Sequence, residues 1–202
     1  MNYNPDIHHR RSIRLKGYDY SQAGAYFITI CVQQRESLLG EIHAGSLQLN
    51  AAGEMVQRVW EKMTERFSHT ALDAYVVMPN HFHAIIWLVS PSDASALNGW
   101  LGQDASDVSV GRDISEGQAQ GLPLPRGREG LGEIIGAFKS LTTVDYIDGV
   151  RQLGWPAFKG RLWQRNYWEH IIRDDASLER LRDYIQTNPQ RWQEDQLHPD
   201  LP

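Results

Sequence analysis

Two apolar runs, "ALDAYVVMP" over 71–79 and "HFHAIIWLV" over 81–89, meet at Pro79-Asn80. Both are rich in β-branched and aromatic residues, and Pro-Asn is a turn pair, so the stretch predicts two strands meeting at a turn. This constrains the fold more than any other feature, because a lone hairpin is marginal in water and needs further strands or helices against it. Side chains alternate faces along a strand, and residues two apart lie about 7 Å from each other on one face. His81 and His83 therefore share a face, and Phe82 points the other way, into the core. A histidine is costly to bury without a partner. Two imidazoles on one strand begin a metal site, which still needs a third ligand and open positions. For a bare His-x-His the commoner outcome is two half-exposed histidines on a sheet.

The remaining elements follow from period and punctuation. "AYFITICVQQ" (25–34) reads as a strand and "SLQLN" (46–50) as a short one. Met55, Val56, Val59, Trp60, Met63 and Phe67 recur at helical spacing within 50–67. A second helix is predicted over 132–150. A third is predicted over 175–187, with Asp175 as N-cap and Pro189 past its end. The segment 161–173 stays open between a strand and a helical turn. This order predicts an α+β fold of the ferredoxin-like split βαβ type, an antiparallel sheet with helices on one face. Residues 90–130 are rich in Gly, Ser, Asp and Gln and lack a sustained period. They read as a long, disordered, mobile insertion within one domain spanning 1–202. Six acids (Asp93, Asp104, Asp107, Asp113, Glu116, Glu129) against Arg112, Arg126 and Arg128 put much of the net charge of −5 there.

Charge and composition narrow the function classes. A net charge of −5 argues against non-specific duplex binding, which rests on many Lys and Arg contacts to phosphates. Seven tryptophans and eight tyrosines suit base stacking as well as core packing. The single cysteine, Cys31, cannot form an internal disulfide, which points to the cytoplasm. No run approaches the roughly 18 apolar residues of a membrane span, so no membrane partner is expected.

"MPNHFH" resembles the HUH motif (histidine, hydrophobic, histidine) of single-tyrosine transposases of the insertion-sequence type. The closest likeness is to the REP-associated tyrosine transposases. "RRSIRLKGYDYSQAGAYFITICVQQR" is similar to that family's N-terminal block and "LGEIIGAFKSLTT" to its central helix. "LWQRNYWEHIIRDDASLERLRDYIQTNP" is similar to its tyrosine block and final helix. The resemblance implies cleavage and rejoining of single-stranded DNA beside hairpins such as REP-like palindromes. A divalent metal, Mg²⁺ or Mn²⁺, and no nucleotide cofactor are implied. It also implies that His81 and His83 are metal ligands, that His170 is the third, and that Tyr167 is the nucleophile; Glu169 is a weaker candidate for the third place.

That chemistry suits these residues. A tyrosine hydroxyl titrates near 10 and is a poor nucleophile at neutral pH, so it needs help from a metal that also neutralises the phosphate. The covalent 5′-phosphotyrosine stores the broken bond and makes rejoining possible. Tyr167 and His170 share a face if their segment is helical and oppose each other if it is a strand. Tyr146 and Tyr184 are the alternative nucleophiles. Arg10, Arg11, Arg14 and Lys16 are expected to contact a hairpin, and Lys139 and Arg165 the DNA backbone near the cut. Trp163, Trp168 and Trp192 are candidates for base stacking, while His8 and His9 read as solvated or DNA-facing. Two rival readings stay open. One is a non-cleaving hairpin-DNA-binding protein acting as a repressor or architectural factor. The other is a water-using metal hydrolase, which would not need Tyr167. Monomer and homodimer are left open.

Overall fold

The computed structural model describes residue 15, residues 17–89 and residues 129–199. The expectations for Arg10, Arg11, Arg14 and Lys16, and for 90–128, lie outside the described residues. Glu129 and Gly130, placed in the insertion by sequence, instead form the entry to a helix. Gly130 is its N-cap, and the Glu133 carboxylate accepts from the Gly130 N–H at 3.0 Å.

Four strands build the main sheet: β1 (Gly24–Cys31), β4 (Thr70–Met78), β5 (His81–Leu88) and β6 (Trp168–Ile172). Their order is β4-β5-β1-β6, and every neighbouring pair is antiparallel. β1 and β4 therefore run parallel to each other with β5 between them, which is the split βαβ arrangement. A small hairpin of β2 (Gly40–His43) and β3 (Ser46–Leu49) stands apart from the sheet. The helices are α1 (Ala51–Glu61), α2 (Met63–Arg66), α3 (Leu131–Leu153) and α4 (Asp175–Thr187). A 3-10 segment, Asn188–Glu194, continues α4.

Strand alternation gives the sheet two different faces. Tyr26, Ile28 and Ile30 of β1 and Phe82, Ala84 and Ile86 of β5 turn one way and are buried against Val56, Trp60, Ile134, Ile135 and Phe138 of α1 and α3. Burial of each large side chain there contributes about 1.5–3 kcal/mol. The opposite face carries Ile85 with Phe27, Val76 and Ile172, and packs against Leu178, Leu181 and Ile185 of α4. Helices thus cover both faces, where the sequence predicted one. The apolar positions of α4 are spaced for burial, and the face of the sheet turned away from α1 and α3 offers them apolar partners.

α4 is fixed at both ends. Its N-cap is Asp174, one residue before the Asp175 expected from sequence, and the Asp174 carboxylate accepts from the Ser177 N–H at 2.7 Å. Midway, Arg182 donates to both oxygens of the nearly buried Asp73 at 2.9 and 2.6 Å. Asp73 lies where the β4–β5 register shifts, and it also accepts from Trp87 Nε1 at 3.0 Å. Burial pushes the Asp73 carboxyl up, but the bonds from Arg182, Trp87 and the Ala74 N–H outweigh this and hold it below the usual carboxylate range.

Among the described residues no helix is long and apolar enough to cross a membrane.

Candidate active site

His81 and His83 stand on the α4 side of β5, and Phe82 between them is buried in the main core, as alternation requires. Both histidines are buried, at 0% and 3% exposure, rather than half-exposed. Their rings meet edge to face with centroids 4.5 Å apart. Phe27 stacks on His83 at 5.4 Å.

The orientation of His81 is set by Asn80, the turn residue before it. The Asn80 amide nitrogen donates to the carbonyls of Arg35 and Leu197 at 3.2 and 2.8 Å. Its oxygen therefore faces His81 Nδ1, 2.7 Å away, and can only accept. His81 must carry its proton on Nδ1, which leaves the Nε2 lone pair turned inward. That atom is buried, without a hydrogen-bond partner among the described residues. His83 Nδ1 lies 2.8 Å from Thr29 Oγ1 on β1, and its Nε2 lies 3.3 Å from the Tyr184 hydroxyl on α4.

The third group is Asp195, just past the 3-10 segment. His81, His83 and Asp195 each offer a ligand atom, all within 4.8 Å of one another, and all three residues are buried. His81 Nε2 and an Asp195 oxygen are 3.9 Å apart, too far for a hydrogen bond. They form no ion pair at neutral pH either, because burial, followed by the Arg35 charge, pushes the His81 pKa down to about 3 against a smaller opposing effect of Asn188. Burial and the neighbouring His81 likewise hold His83 well below its ordinary value. Asn188 donates to Asp195 at 3.1 Å, and its own side-chain oxygen is buried and has no hydrogen-bond partner among the described residues. Two neutral imidazoles and a carboxylate whose ligand atoms converge within 4.8 Å, only partly satisfied by their neighbours, form a donor set that fits a divalent cation.

Tyr184 and Asn188 are four residues apart and share one side of α4. Burial and the Asp195 charge push the Tyr184 pKa up, and its bond to Asn188 opposes this. A cavity of about 510 Å³ opens here, lined by His83, Tyr184, Asn188, Asp195, Arg191 and Trp168 among others. Trp168 is 61% exposed at its rim, whereas Trp163 and Trp192 are buried.

Other residues expected at the site stand elsewhere. The segment from Trp168 to Ile172 is a strand, so Tyr167 and His170 do not converge. Tyr167 packs against the main core, while His170 opposes Phe27 across the sheet and lines a separate cavity. Lys139 donates to the carbonyls of Gln164 and Arg165 at 2.6 and 3.2 Å, which ties α3 to the loop before β6. Burial lowers its pKa to about 8, with smaller effects of Cys31 and Arg161 in opposite directions. The Arg165 side chain is exposed. Sequence reading left Asp195 and Asn188 unnamed and offered Tyr184 only beside Tyr146 as an alternative to Tyr167. The available signal was the spacing of Leu181, Tyr184, Ile185 and Asn188, which puts the tyrosine and the amide beside the buried stripe of α4.

A protein of Haemophilus influenzae described as uncharacterized is 37% identical over 201 residues, covering 98% of this chain and 98% of its own. The chain belongs to that protein's family. The likeness to REP-associated tyrosine transposases also stands in the comparisons. A Haemophilus influenzae protein named "Putative REP-associated tyrosine transposase" is 57% identical over 28 residues, 14% of this chain and 16% of that one. A solved structure of a REP-associated tyrosine transposase bound to a REP hairpin is similar at 21% identity and a TM-score of 0.45, covering 88% of this chain and 73% of that one. A "putative transposase" of Deinococcus radiodurans R1 is similar at 14% identity and a TM-score of 0.44, covering 86% and 95%. No family model matches the chain.

Proposed function

We propose that the chain is a DNA-strand transferase that nicks and rejoins single-stranded DNA at hairpins such as REP-like palindromes, working as one HUH-type domain. The observation that carries the reading is the Tyr184 hydroxyl 3.3 Å from His83 Nε2, beside the buried group of His81, His83 and Asp195. The motif resemblance and the short transposase match support the substrate class.

Tyr184 is the hydroxyl held at the histidine pair, so the nucleophile is assigned to it ahead of Tyr167. Its oxygen attacks the scissile phosphorus. The Tyr–O–P bond forms as the bond from phosphorus to the 3′ oxygen breaks, and the departing 3′ oxygen gains a proton as the tyrosine loses one. The products are a 5′-phosphotyrosine and a free 3′-OH, and the reverse attack rejoins the strand. His81, His83 and Asp195 would hold a divalent cation of the Mg²⁺ or Mn²⁺ class, which when bound neutralises charge on the phosphate. Nitrogen ligands favour Mn²⁺ over Mg²⁺ in such a set. Asn80 keeps the His81 lone pair directed inward. Asn188 and His83 keep the Tyr184 hydroxyl on the correct side of α4, and Phe27 and Trp192 exclude water from the imidazoles.

The test is a denaturing gel after incubation with a labelled single-stranded hairpin and Mn²⁺. Wild type and Tyr167→Phe form a covalent adduct, and Tyr184→Phe does not. An adduct lost in Tyr167→Phe but kept in Tyr184→Phe returns the nucleophile to the position the motif indicates. Hairpin binding without an adduct from wild type replaces the transferase with a binding protein.

A further inference from the structure

Residues 195–198 form a short strap beside the histidine pair, and Asp195, Gln196 and Leu197 line the cavity that holds Tyr184. The strap is a turn built on Asp195. Its carboxylate accepts from the Leu197 N–H at 2.7 Å, and its carbonyl accepts from the His198 N–H at 2.8 Å. Two side chains from outside hold the strap's backbone. Arg35 Nη1 donates to the Gln196 carbonyl at 3.1 Å, and the Asn80 amide donates to the Leu197 carbonyl at 2.8 Å. The two holders are themselves joined, since Asn80 also donates to the Arg35 carbonyl at 3.2 Å. Gln34 and Arg35 both take the left-handed conformation, with φ of 59° and 57°. Two successive non-glycine residues there are strained, and such strain persists where surrounding contacts impose it, chiefly at functional sites.

We propose that residues 195–198 are a cation-locked strap and that Asn80 is the positioning residue coupling its docking to the histidine pair, an inference resting on the cation site proposed above. One amide performs both tasks. Its oxygen accepts from His81 Nδ1 and so turns Nε2 inward, while its nitrogen holds the strap that carries Asp195. The docked strap puts the Asp195 carboxylate within 4.8 Å of both imidazole ligand atoms. An undocked strap leaves a cation only the two histidines of β5. A cation therefore binds the docked arrangement more tightly, and a ligand shifts the population towards the arrangement it binds more tightly. The His81 Nε2 lone pair and an Asp195 oxygen stand 3.9 Å apart, and each repels the other. A positive ion between them turns that repulsion into attraction. Because the strap lines the cavity, cation loading completes the wall beside Tyr184, and the order of assembly is metal first and DNA strand second.

Amide hydrogen exchange over residues 196–198 of the full chain, with and without Mn²⁺, tests the coupling. Electron paramagnetic resonance of free Mn²⁺ reports binding independently of cleavage. Saturating Mn²⁺ should slow that exchange ~10-fold in wild type and less than about 2-fold in Asp195→Asn, which keeps the turn's acceptor but not the charge. Asn80→Asp keeps the acceptor for His81 and loses both donors, so at saturating Mn²⁺ its strap should exchange about 10-fold faster than that of wild type. The Asp195→Asn comparison stands whether or not Asn80→Asp folds. Mn²⁺ binding to wild type with unchanged exchange at 196–198 overturns the lock and leaves the cation site standing, and equal slowing in Asp195→Asn does the same. A strap as slow in Asn80→Asp as in wild type overturns the coupling through Asn80. Failure of wild type to bind Mn²⁺ at all overturns the proposed cation site as well.

Discussion

The two faces of the central sheet are made from alternate residues of the same strands, yet they differ in chemistry. Towards α1 and α3 the strands present Tyr26, Ile28, Phe82 and Ile86, closed by Trp60 and Phe138. Towards α4 they present Thr29, His81 and His83, with Ile85 and Phe27 nearby. The first face is apolar and stabilises the fold by removing large side chains from water. The second buries imidazoles, a carboxylate and an amide that do not fully satisfy one another, which costs stability in exchange for chemistry. The difference teaches that α4 does not dock by apolar contact alone. The Asp73–Arg182 pair adds a directional hold two residues from Tyr184.

Neighbouring residues of β5 break this comparison most directly. His83→Ala is expected to lower strand cleavage by about 10²–10⁴-fold while the protein remains folded by circular dichroism, and His81→Ala likewise. Phe82→Ala, between them, is expected to cost about 3–5 kcal/mol of stability in urea unfolding. A stability loss of that size from His83→Ala would remove the distinction between the faces.

The pH dependence sharpens it. His81 has its folded pKa pushed down to about 3, and His83 is also depressed, so the unfolded chain binds more protons as pH falls below about 6.5. The stability these groups contribute is fully present above that value and declines towards about pH 3. The melting temperature should therefore drop already between pH 6.5 and 5, before carboxylates titrate, and His81→Leu should flatten that slope. An unchanged slope would mean that His81 is not buried as a neutral ring.

Asp73→Ala is expected to cost about 1.5–3 kcal/mol by loss of charged hydrogen bonds, reduced because Arg182 is 32% exposed. It should also lower adduct formation more than Ile185→Val, which loosens α4 without removing its directional hold. Lys139→Met should have the smallest effect, about 1 kcal/mol by thermal unfolding, since it loses two bonds to carbonyls but no apolar packing.

Much of the fold was legible because it depends on local period and turn chemistry. The strands at 71–79 and 81–89, the turn at Pro79-Asn80 and the helix at 175–187 lie within a residue or so of their predicted bounds. The sharing of one face by His81 and His83 follows from strand geometry alone. The sequence 50–67 was read as one helix but is two, separated at Lys62. β2 was not foreseen, because four residues pairing only with β3 leave almost no periodic signal.

The sequence by itself determined which residues alternate along β5 and which positions line the buried side of α4. Only the tertiary structure decided what the histidines meet. Asp195 lies more than a hundred residues beyond them, and Tyr184 belongs to a helix whose face of the sheet no local pattern specifies. Tyr167 and His170 stand in a segment whose period fits neither element, and pairing of β6 with β1 turned it into a strand and set them apart. Local spacing is fixed by backbone geometry, whereas convergence of distant side chains is set by which packing buries the most apolar surface.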